Sequence, residues 1–232
     1  IYVVDDAGDV VVERADEGFD QVQTSVSYRL PDHVEALLAM GSADLQLQGN
    51  TGDNRILGNA GANGIAGGAG DDFLSGGPGD DIYLFGRGDG SDLLDNLDLA
   101  LDRADASVQG AVDTLRLGVG IAASDVVAWR QDDDMVLSLR GTADRLLVQG
   151  HFSASTVQGT QVFDRRLDRL EFADGMVWDG AAMQAAVDKA DTNRAPVPGA
   201  VLPPLHVRAN EVLVQLLPPD LFVDPQDLIR YT

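Results

Sequence analysis

Asp72 and Asp81 stand nine residues apart, and Asn54 and Asn63 hold the same place in the two preceding nine-residue units. The four units follow one another without a gap: GNTGDNRIL (49–57), GNAGANGIA (58–66), GGAGDDFLS (67–75) and GGPGDDIYL (76–84). Gly stands at positions 1 and 4 of every unit, and Asn or Asp stands at position 6. Oxygen-bearing side chains at a fixed spacing, set among glycine-rich turns, could bind a hard cation.

Position 8 of each unit carries an apolar residue or Tyr, namely Ile56, Ile65, Leu74 or Tyr83. We expect these side chains to point into the core. Six turn-forming residues followed by a three-residue strand, taken twice, make one coil of about eighteen residues. Loops on the same side of such a coil belong to repeats n and n+2. One apolar side chain per unit makes a thin core, so we expect a ligand bound between the loops to stabilise it.

The available ligands are oxygen atoms. The chain has no Cys, and its three histidines, His33, His151 and His206, lie outside the repeats. A soft transition metal therefore has no suitable ligands in the repeats. Several carbonyls with one or two carboxylates suit Ca²⁺ better than Mg²⁺, which requires a tighter octahedron.

The repeats resemble the RTX (repeats-in-toxin) nonapeptide G-G-x-G-x-D-x-U-x, for which calcium binding is known. The resemblance implies a parallel β-roll in which a site takes positions 2, 4 and 6 of one loop and positions 1, 3 and 6 of the loop two repeats later. It implies about two to four calcium ions. The implied ligand residues are Asn50, Gly52, Asn54, Asn59, Gly61, Asn63, Gly67, Gly68, Ala69, Gly70, Asp72, Gly76, Gly77, Pro78, Gly79, Asp81, Phe85, Arg87, Asp89 and Asp92.

Three features depart from the family pattern. In the loop after the fourth repeat, position 6 is Gly90, so Asp89 or Asp92 would have to supply the carboxylate, beside the carbonyls of Phe85 and Arg87. Asn54 and Asn63 remove one negative charge each from their sites. Two readings of these residues stay open: either the amide oxygen binds an ion, or the side chains only hydrogen-bond along the coil.

Position 5 is expected to differ from position 6 in its surroundings. Asp71 and Asp80 occupy position 5 of the third and fourth repeats. We expect these two carboxylates to face water rather than an ion.

The composition restricts the class of partner. The 232 residues carry a net charge of −22, from 16 Lys and Arg against 38 Asp and Glu. Such a field repels nucleic acid and anionic membranes, and no apolar run is long enough for a membrane-spanning helix. The absence of Cys excludes disulfides. Because the sequence begins at Ile1 without a signal peptide or an initiator Met, we interpret it as an internal fragment.

The segments outside the repeats carry strand patterns. Ile1-Tyr2-Val3 parallels Ile82-Tyr83-Leu84, and period-two alternation over 22–30 predicts strand. Residues 97–112 are expected to be a surface excursion. Beyond it, strands are predicted at 114–117, 126–130, 135–139, 145–149, 167–172 and 176–178, with a short helix over 181–190.

Two further resemblances complete the organisation. Asp113-Thr114-Leu115 and Leu170-Glu171-Phe172 with Trp178 are similar to the haemolysin-type calcium-binding-related domain, and 207–232 looks like the opening of a cadherin-like or Ig-like sandwich. We therefore expect an all-β chain: a parallel β-roll, a small β-rich capping domain and a partial β-sandwich. The expected domains are 1–48, an inter-block β segment continuing an upstream RTX roll; 49–110, the calcium-binding roll; 111–190, the haemolysin-type domain; 191–206, a linker; and 207–232, a truncated sandwich.

The resemblance implies a calcium-folded structural segment of a large secreted or cell-surface bacterial protein, adhesin-like or surface-layer-like and exported by type I secretion. The alternative is the non-catalytic region of a secreted enzyme or toxin, such as a protease, lipase or epimerase. No HExxH or GxSxG motif is present, so we expect no catalysis within the chain. The expected partners are calcium, and other copies or a cell-surface ligand reached through modules outside the chain.

Overall fold

The computed structural model describes residues 1–15, 17–101, 111–153, 156–158 and 161–193. All of them lie in the first of two compact units, 1–196 and 197–232. The predicted sandwich at 207–232 and all but the first residues of the predicted linker fall outside the described residues. Among the described helices, none is both long and apolar enough to cross a membrane.

The described strands form three sheets. In chain order they are β1 (Tyr2–Val4), β2 (Gln21–Thr24), β3 (Tyr28–Arg29), β4 (Ala36–Ala39), β5 (Gln46–Gln48), β6 (Arg55–Leu57), β7 (Gly64–Ala66), β8 (Phe73–Ser75), β9 (Ile82–Phe85), β10 (Ser91–Leu94), β11 (Asp98–Leu101), β12 (Thr114–Leu117), β13 (Val126–Gln131), β14 (Asp134–Leu139), β15 (Arg145–Val148), β16 (Thr156–Gln158), β17 (Gln161–Asp164), β18 (Arg169–Glu171) and β19 (Val177–Asp179). A short 3-10 helix spans Ala123–Asp125, and α1 spans Gly180–Asn193. The sheet orders are β1-β2-β4-β6-β8-β10-β15-β14-β13, β19-β18-β12-β9-β7-β5-β3 and β11-β17-β16.

The repeats form a parallel roll whose successive strands alternate between the two large sheets. Ile56 of β6 lies opposite Leu74 of β8, and Ile65 of β7 lies opposite Tyr83 of β9. These four position-8 side chains are at most 1% exposed. The sequence-based predictions of the coil period and of the inward-facing residues are therefore confirmed.

Both sheets continue upstream of the repeats. Leu37 of β4 lies opposite Ile56, and Leu47 of β5 lies opposite Ile65. The strands predicted over 22–30 are present as β2 and β3, and a turn separates them, because the Thr24 hydroxyl donates to Val26 O (2.7 Å) and accepts from Val26 N (3.1 Å). The sheets thus run across residue 48, and the domain boundary there stays a prediction.

Downstream of the repeats, the strand pairing in both large sheets changes from parallel to antiparallel. β12 pairs in parallel with β9, and β15 pairs in parallel with β10, but β13–β14–β15 and β18–β19 are antiparallel. Helix α1 packs against β13 and β19, the edge strands of the two sheets, and buries Met183 and Val187. The strands predicted at 114–117, 126–130, 135–139 and 145–149 and the helix predicted at 181–190 are all present.

The surface excursion predicted at 97–112 is only partly an excursion. Asp98–Leu101 forms β11, which pairs antiparallel with β17 in the three-stranded sheet. That pairing joins segments some sixty residues apart in sequence, so local periodicity gave no signal for it. Residues 102–110 lie outside the described residues.

At the opposite end of the roll, no helix among the described residues takes the place of α1. The edge strands at this end are β1 and β3. Ile1, Val3, Val10, Val12 and Phe19 are all exposed near this end of the chain. The described part of the roll therefore has one end covered by a helix and another with exposed apolar side chains.

Tyr83 links the core to the loops. Its hydroxyl accepts from Gly76 N (2.8 Å) and donates to Asn96 Oδ1 (2.8 Å). Asn96 in turn donates to Asp113 Oδ2 (2.8 Å) and to Arg166 O (3.0 Å). Tyr83 thus connects the fourth repeat, through Asn96, to Asp113 just before β12 and to Arg166 further along the chain.

Replacing Tyr83 by Phe removes a buried hydroxyl that serves two partners. We expect Tyr83→Phe to lower the free energy of unfolding by about 1–3 kcal/mol, because Gly76 N and Asn96 Oδ1 lose their partner in the core. Urea unfolding in saturating calcium measures this. Tyr28→Phe, at a half-buried strand residue, is the control, and equal losses in the two variants would contradict the assigned role of the Tyr83 hydroxyl.

Candidate metal centre

The repeat loops stack along two edges of the roll. One edge carries the loops at 49–54, 67–72 and 86–92, and the other carries the loops at 58–63 and 76–81 and residues 111–113. Glycine is required where the loops touch: Gly70 has φ +127°, and a Cβ built on it would lie 2.7 Å from Gly52 O. The glycines therefore allow backbone carbonyls of one loop to approach the next.

Position-6 side chains form a buried ladder along the first edge. Asn54 N donates to Asp72 Oδ1 (2.7 Å), and Asp72 N donates to Asp92 Oδ1 (3.0 Å). The register of Leu93 opposite Phe73 places Asp92 at position 6 of its loop. Asp89 instead accepts from Gly86 N (2.7 Å) within its own loop. The sequence left two candidate carboxylates for this site, Asp89 and Asp92. In the structure it is Asp92 that accepts the hydrogen bond from Asp72 N.

An equivalent ladder runs along the second edge. Asn63 N donates to Asp81 Oδ1 (2.8 Å), Asp81 N to Asp113 Oδ1 (3.0 Å), and Asp113 N to Asp168 Oδ2 (3.0 Å). The sequence-based ligand set contained neither Asp113 nor Asp168. A signal was present: Asp113 and Asp168 precede the buried Leu115 and Leu170 by two residues, as Asp81 precedes Tyr83.

The ladder carboxylates are buried. Asp72, Asp81 and Asp92 are at most 2% exposed. Burial raises the pKa of Asp72 to about 7 and that of Asp92 to about 8, against partial compensation from the backbone N–H groups that they accept. Asp72 Oδ2 receives no hydrogen bond from the described part of the chain. A buried carboxylate oxygen of this kind requires a proton or a cation.

The backbone around Asp72 supplies further oxygens. A Cβ built on Gly68 would lie 2.3 Å from Asn50 O, and one built on Gly49 would lie 2.0 Å from Gly67 O. Carbonyls at positions 2 and 4 thus face the following coil, while the carbonyl at position 1 faces the preceding coil. This direction fits the ligand scheme that the family resemblance implies and an all-oxygen calcium site.

The second edge repeats this arrangement. Hypothetical Cβ atoms on Gly79 and Gly58 would lie 2.5 Å from Gly61 O and 2.2 Å from Gly76 O, respectively. No cluster of three or more His, Cys, Asp or Glu side chains suited to a metal occurs among the described residues. Any site here must therefore be completed by main-chain carbonyls, as the direction of the carbonyls permits.

Two residues of the predicted ligand set also make contacts outside the loop site. Phe85 O accepts from Gly118 N (2.9 Å) and so extends the pairing of β9 with β12, and its role as a calcium ligand stays a prediction. The Arg87 guanidinium donates to Arg140 O (2.8 Å) and lies 3.5 Å from Asp125. Ala69 and Pro78 occupy position 3 of the stacked third and fourth loops, as their spacing predicts.

The asparagines at position 6 hydrogen-bond within the roll. Asn54 Oδ1 accepts from Asn50 N (2.7 Å), and its Nδ2 donates to Val34 O (3.2 Å). Asn63 Nδ2 donates to Asn59 Oδ1 (3.0 Å) and to Gly61 O (2.7 Å). Of the two open readings, this geometry favours hydrogen bonding along the coil.

Position-5 carboxylates form a second, exposed ladder. Asp71 N donates to Asp53 Oδ1 (2.8 Å), Ser91 N to Asp71 Oδ1 (3.0 Å), and Val112 N to Asp80 Oδ1 (2.8 Å). Asp53, Asp71 and Asp80 are exposed. They connect neighbouring coils at the surface and remain in contact with solvent.

Two family models match this chain. Residues 46–70 and 58–92 match the RTX calcium-binding nonapeptide repeat (4 copies), and residues 134–182 match the haemolysin-type calcium binding protein related domain. A search of curated proteins finds no match. The chain thus contains RTX calcium-binding nonapeptide repeats followed by a haemolysin-type calcium-binding-related domain.

Proposed function

We propose that this chain is a calcium-folded structural segment of a large secreted or cell-surface bacterial RTX protein. The observation that carries the proposal is Asp72 Oδ2, which is buried between stacked loops without a donor from the described residues. The RTX repeats support calcium as the ligand. The repeats themselves mark the chain as a calcium-binding structural region.

The mechanism couples ion binding to folding. Asp72 and Asp92, with the carbonyls of Gly68 and Gly70, would hold one ion, and Asp81 and Asp113, with the carbonyls of Gly77 and Gly79, would hold another. Bound calcium supplies the positive charge that these buried oxygens lack. Without it the carboxylates of neighbouring coils repel one another, and the thin core cannot compensate.

This coupling suits export. RTX proteins are typically exported by type I secretion. We propose that the calcium-binding coils of this acidic chain stay unfolded at low cytosolic calcium and fold outside, where calcium is abundant. An adhesin-like or surface-layer-like parent protein stays a prediction, as does the alternative of a non-catalytic region in a secreted enzyme or toxin. The flanking coding sequence would distinguish these parents.

Calcium should fold the repeat region cooperatively. We expect strand content to appear at roughly 10⁻⁴–10⁻³ M calcium, the range of extracellular modules. Circular dichroism during a calcium titration of the full chain measures this, with a magnesium titration as the control. A chelated sample with the same spectrum and melting temperature as the calcium form would contradict the proposal.

Position 6 should matter more than position 5. We expect Asp72→Asn and Asp81→Asn to weaken calcium binding roughly tenfold or more, because each removes a ligand charge between loops. Asp71→Asn and Asp80→Asn are matched controls that make the same chemical change one residue away, at the surface. Calorimetry gives the affinities and ion counts. Equal losses within each pair would show that the assigned ligand register is wrong.

The metal-free chain should lose stability as pH rises. The folded-state pKa values of Asp72 (about 7) and Asp92 (about 8) exceed that of an unfolded aspartate (about 3.9). The folded state therefore binds more protons than the unfolded state between about pH 4 and pH 8, and its free energy of unfolding falls over that range. The strand content of the chain in chelator, followed by circular dichroism from pH 5 to pH 8, measures this.

Calcium should alter that dependence. In saturating calcium both carboxylates are already deprotonated, so we expect the fall between pH 5 and pH 8 to disappear and calcium binding near pH 6 to release protons. The double variant Asp72→Asn, Asp92→Asn is the control and should lose most of the pH dependence in chelator. Metal-free stability that is constant or rises over this range would contradict the account.

A further inference from the structure

The four repeats fall into two chemical classes. Repeats 1 and 2 carry Asn at both position 2 and position 6, whereas repeats 3 and 4 carry Gly at position 2 and Asp at position 6. The two positions change together between the second and third repeats. The position-2 asparagines, Asn50 and Asn59, are each only 7% exposed.

The Asn50 side chain connects its loop to the preceding coil. Its Nδ2 donates to Pro31 O and to Val34 O, both at 2.8 Å. Its Oδ1 accepts from Gly52 N at 2.8 Å. Both amide hydrogens and the amide oxygen therefore have partners, and two carbonyls of the preceding loop are satisfied.

Asn59 makes the same set of contacts on the other edge of the roll. Its Nδ2 donates to Met40 O and to Ala43 O, both at 3.1 Å, and its Oδ1 accepts from Gly61 N at 2.9 Å. We call each set an amide clamp: a position-2 Asn whose Nδ2 bonds two carbonyls of the preceding loop. Because the clamp occurs on both edges of the roll, it is a shared feature of the first two repeats.

An amide clamp places donors where a calcium site would need only oxygens. Flipping the Asn50 amide would set Oδ1 against two carbonyl oxygens and Nδ2 against Gly52 N–H, so the hydrogen bonds fix its orientation. The carbonyls of Pro31 and Val34 are then occupied by N–H groups. A cation between these loops would face an N–H group of partial positive charge instead of a ligand.

The third and fourth repeats cannot form the clamp. Their position-2 residues are Gly68 (φ +106°) and Gly77 (φ +85°), which have no side chain and adopt a conformation that disfavours Asn. The carboxylates of Asp72 and Asp92 stand between coils there instead. The change from amide clamps to buried carboxylates therefore falls between the second and third repeats.

We propose that the amide clamps of Asn50 and Asn59 join the first two repeats to the preceding coil without an ion, so that the calcium dependence of the roll begins at the third repeat. This inference rests on the proposed calcium-coupled folding of the later repeats. Residues 31–66 then form a preformed end on which the calcium-binding coils assemble.

Backbone amides report the two kinds of contact separately. Two amides report the contacts across the clamped gaps: Arg55 N donates to Glu35 O, and Gly64 N donates to Leu45 O. Two others report the contacts one coil later: Phe73 N donates to Asn54 O, and Ile82 N donates to Asn63 O. All four distances are 2.8 Å. Hydrogen exchange of the full chain in calcium and in chelator follows all four amides. We expect chelation to speed exchange at Phe73 and Ile82 at least about tenfold, and at Arg55 and Gly64 less than about twofold.

Each clamp can be removed by a change of one group. In Asn50→Asp a carboxylate oxygen replaces the Nδ2 donor and faces two carbonyls, so exchange at Arg55 in chelator should speed up at least about tenfold. Asn59→Asp should do the same at Gly64. Gln131→Glu, the same chemical change at an exposed strand residue, is the control and should change neither amide.

The outcomes separate this inference from the proposed function. If all four amides of the unaltered chain respond equally to chelation, the inference is wrong while calcium-coupled folding stands. If none of the four responds, the proposed function fails and the inference fails with it. Asn50→Asp and Asn59→Asp variants that exchange like the control would also overturn the role of the clamps.

Discussion

A buried carboxylate oxygen between stacked loops is the constraint on which the rest of this structure depends. Because parallel coils stack in register, each position-6 side chain lies beside its equivalent in the next coil, and Asp72 is followed by Asp92. Like charges at that spacing, away from water, must be protonated, bonded or neutralised. The acidic composition, the invariant glycines and the thin core are all compatible with folding only when this condition is met.

The chain satisfies inter-coil polar groups in three ways along its length. In the first two repeats, Asn50 and Asn59 supply amide hydrogens to carbonyls of the preceding loops. In the later repeats, carboxylates and carbonyls converge, which suits a cation. Beyond them, antiparallel strands and α1 bury large apolar side chains such as Leu137 and Met183, so packing holds that end. The part for which we propose calcium dependence thus lies between two parts that are held by other interactions.

Local spacing made much of this predictable. The nine-residue period fixes which side chains point inward, so Ile56 and Tyr83 could be placed in the core from sequence alone. The partners of the ladders were harder to find, because the chain between Asp81 and Asp113 interrupts the period, and extra residues before Asp92 shift its number away from the expected position 6. The pairing of the Phe85 carbonyl with Gly118 was not predicted, because it belongs to a strand contact that no repeat encodes.

The central claim is that Asp72 Oδ2 is completed by a calcium ion held between the stacked repeat loops. Crystals of the full chain grown in calcium, with an anomalous difference map recorded at long wavelength, test it directly. The account predicts an anomalous peak within about 2.3–2.6 Å of Asp72 Oδ2 and of main-chain carbonyls. A map with calcium peaks elsewhere and none beside Asp72, or with a protein donor bonded to Asp72 Oδ2, would contradict it.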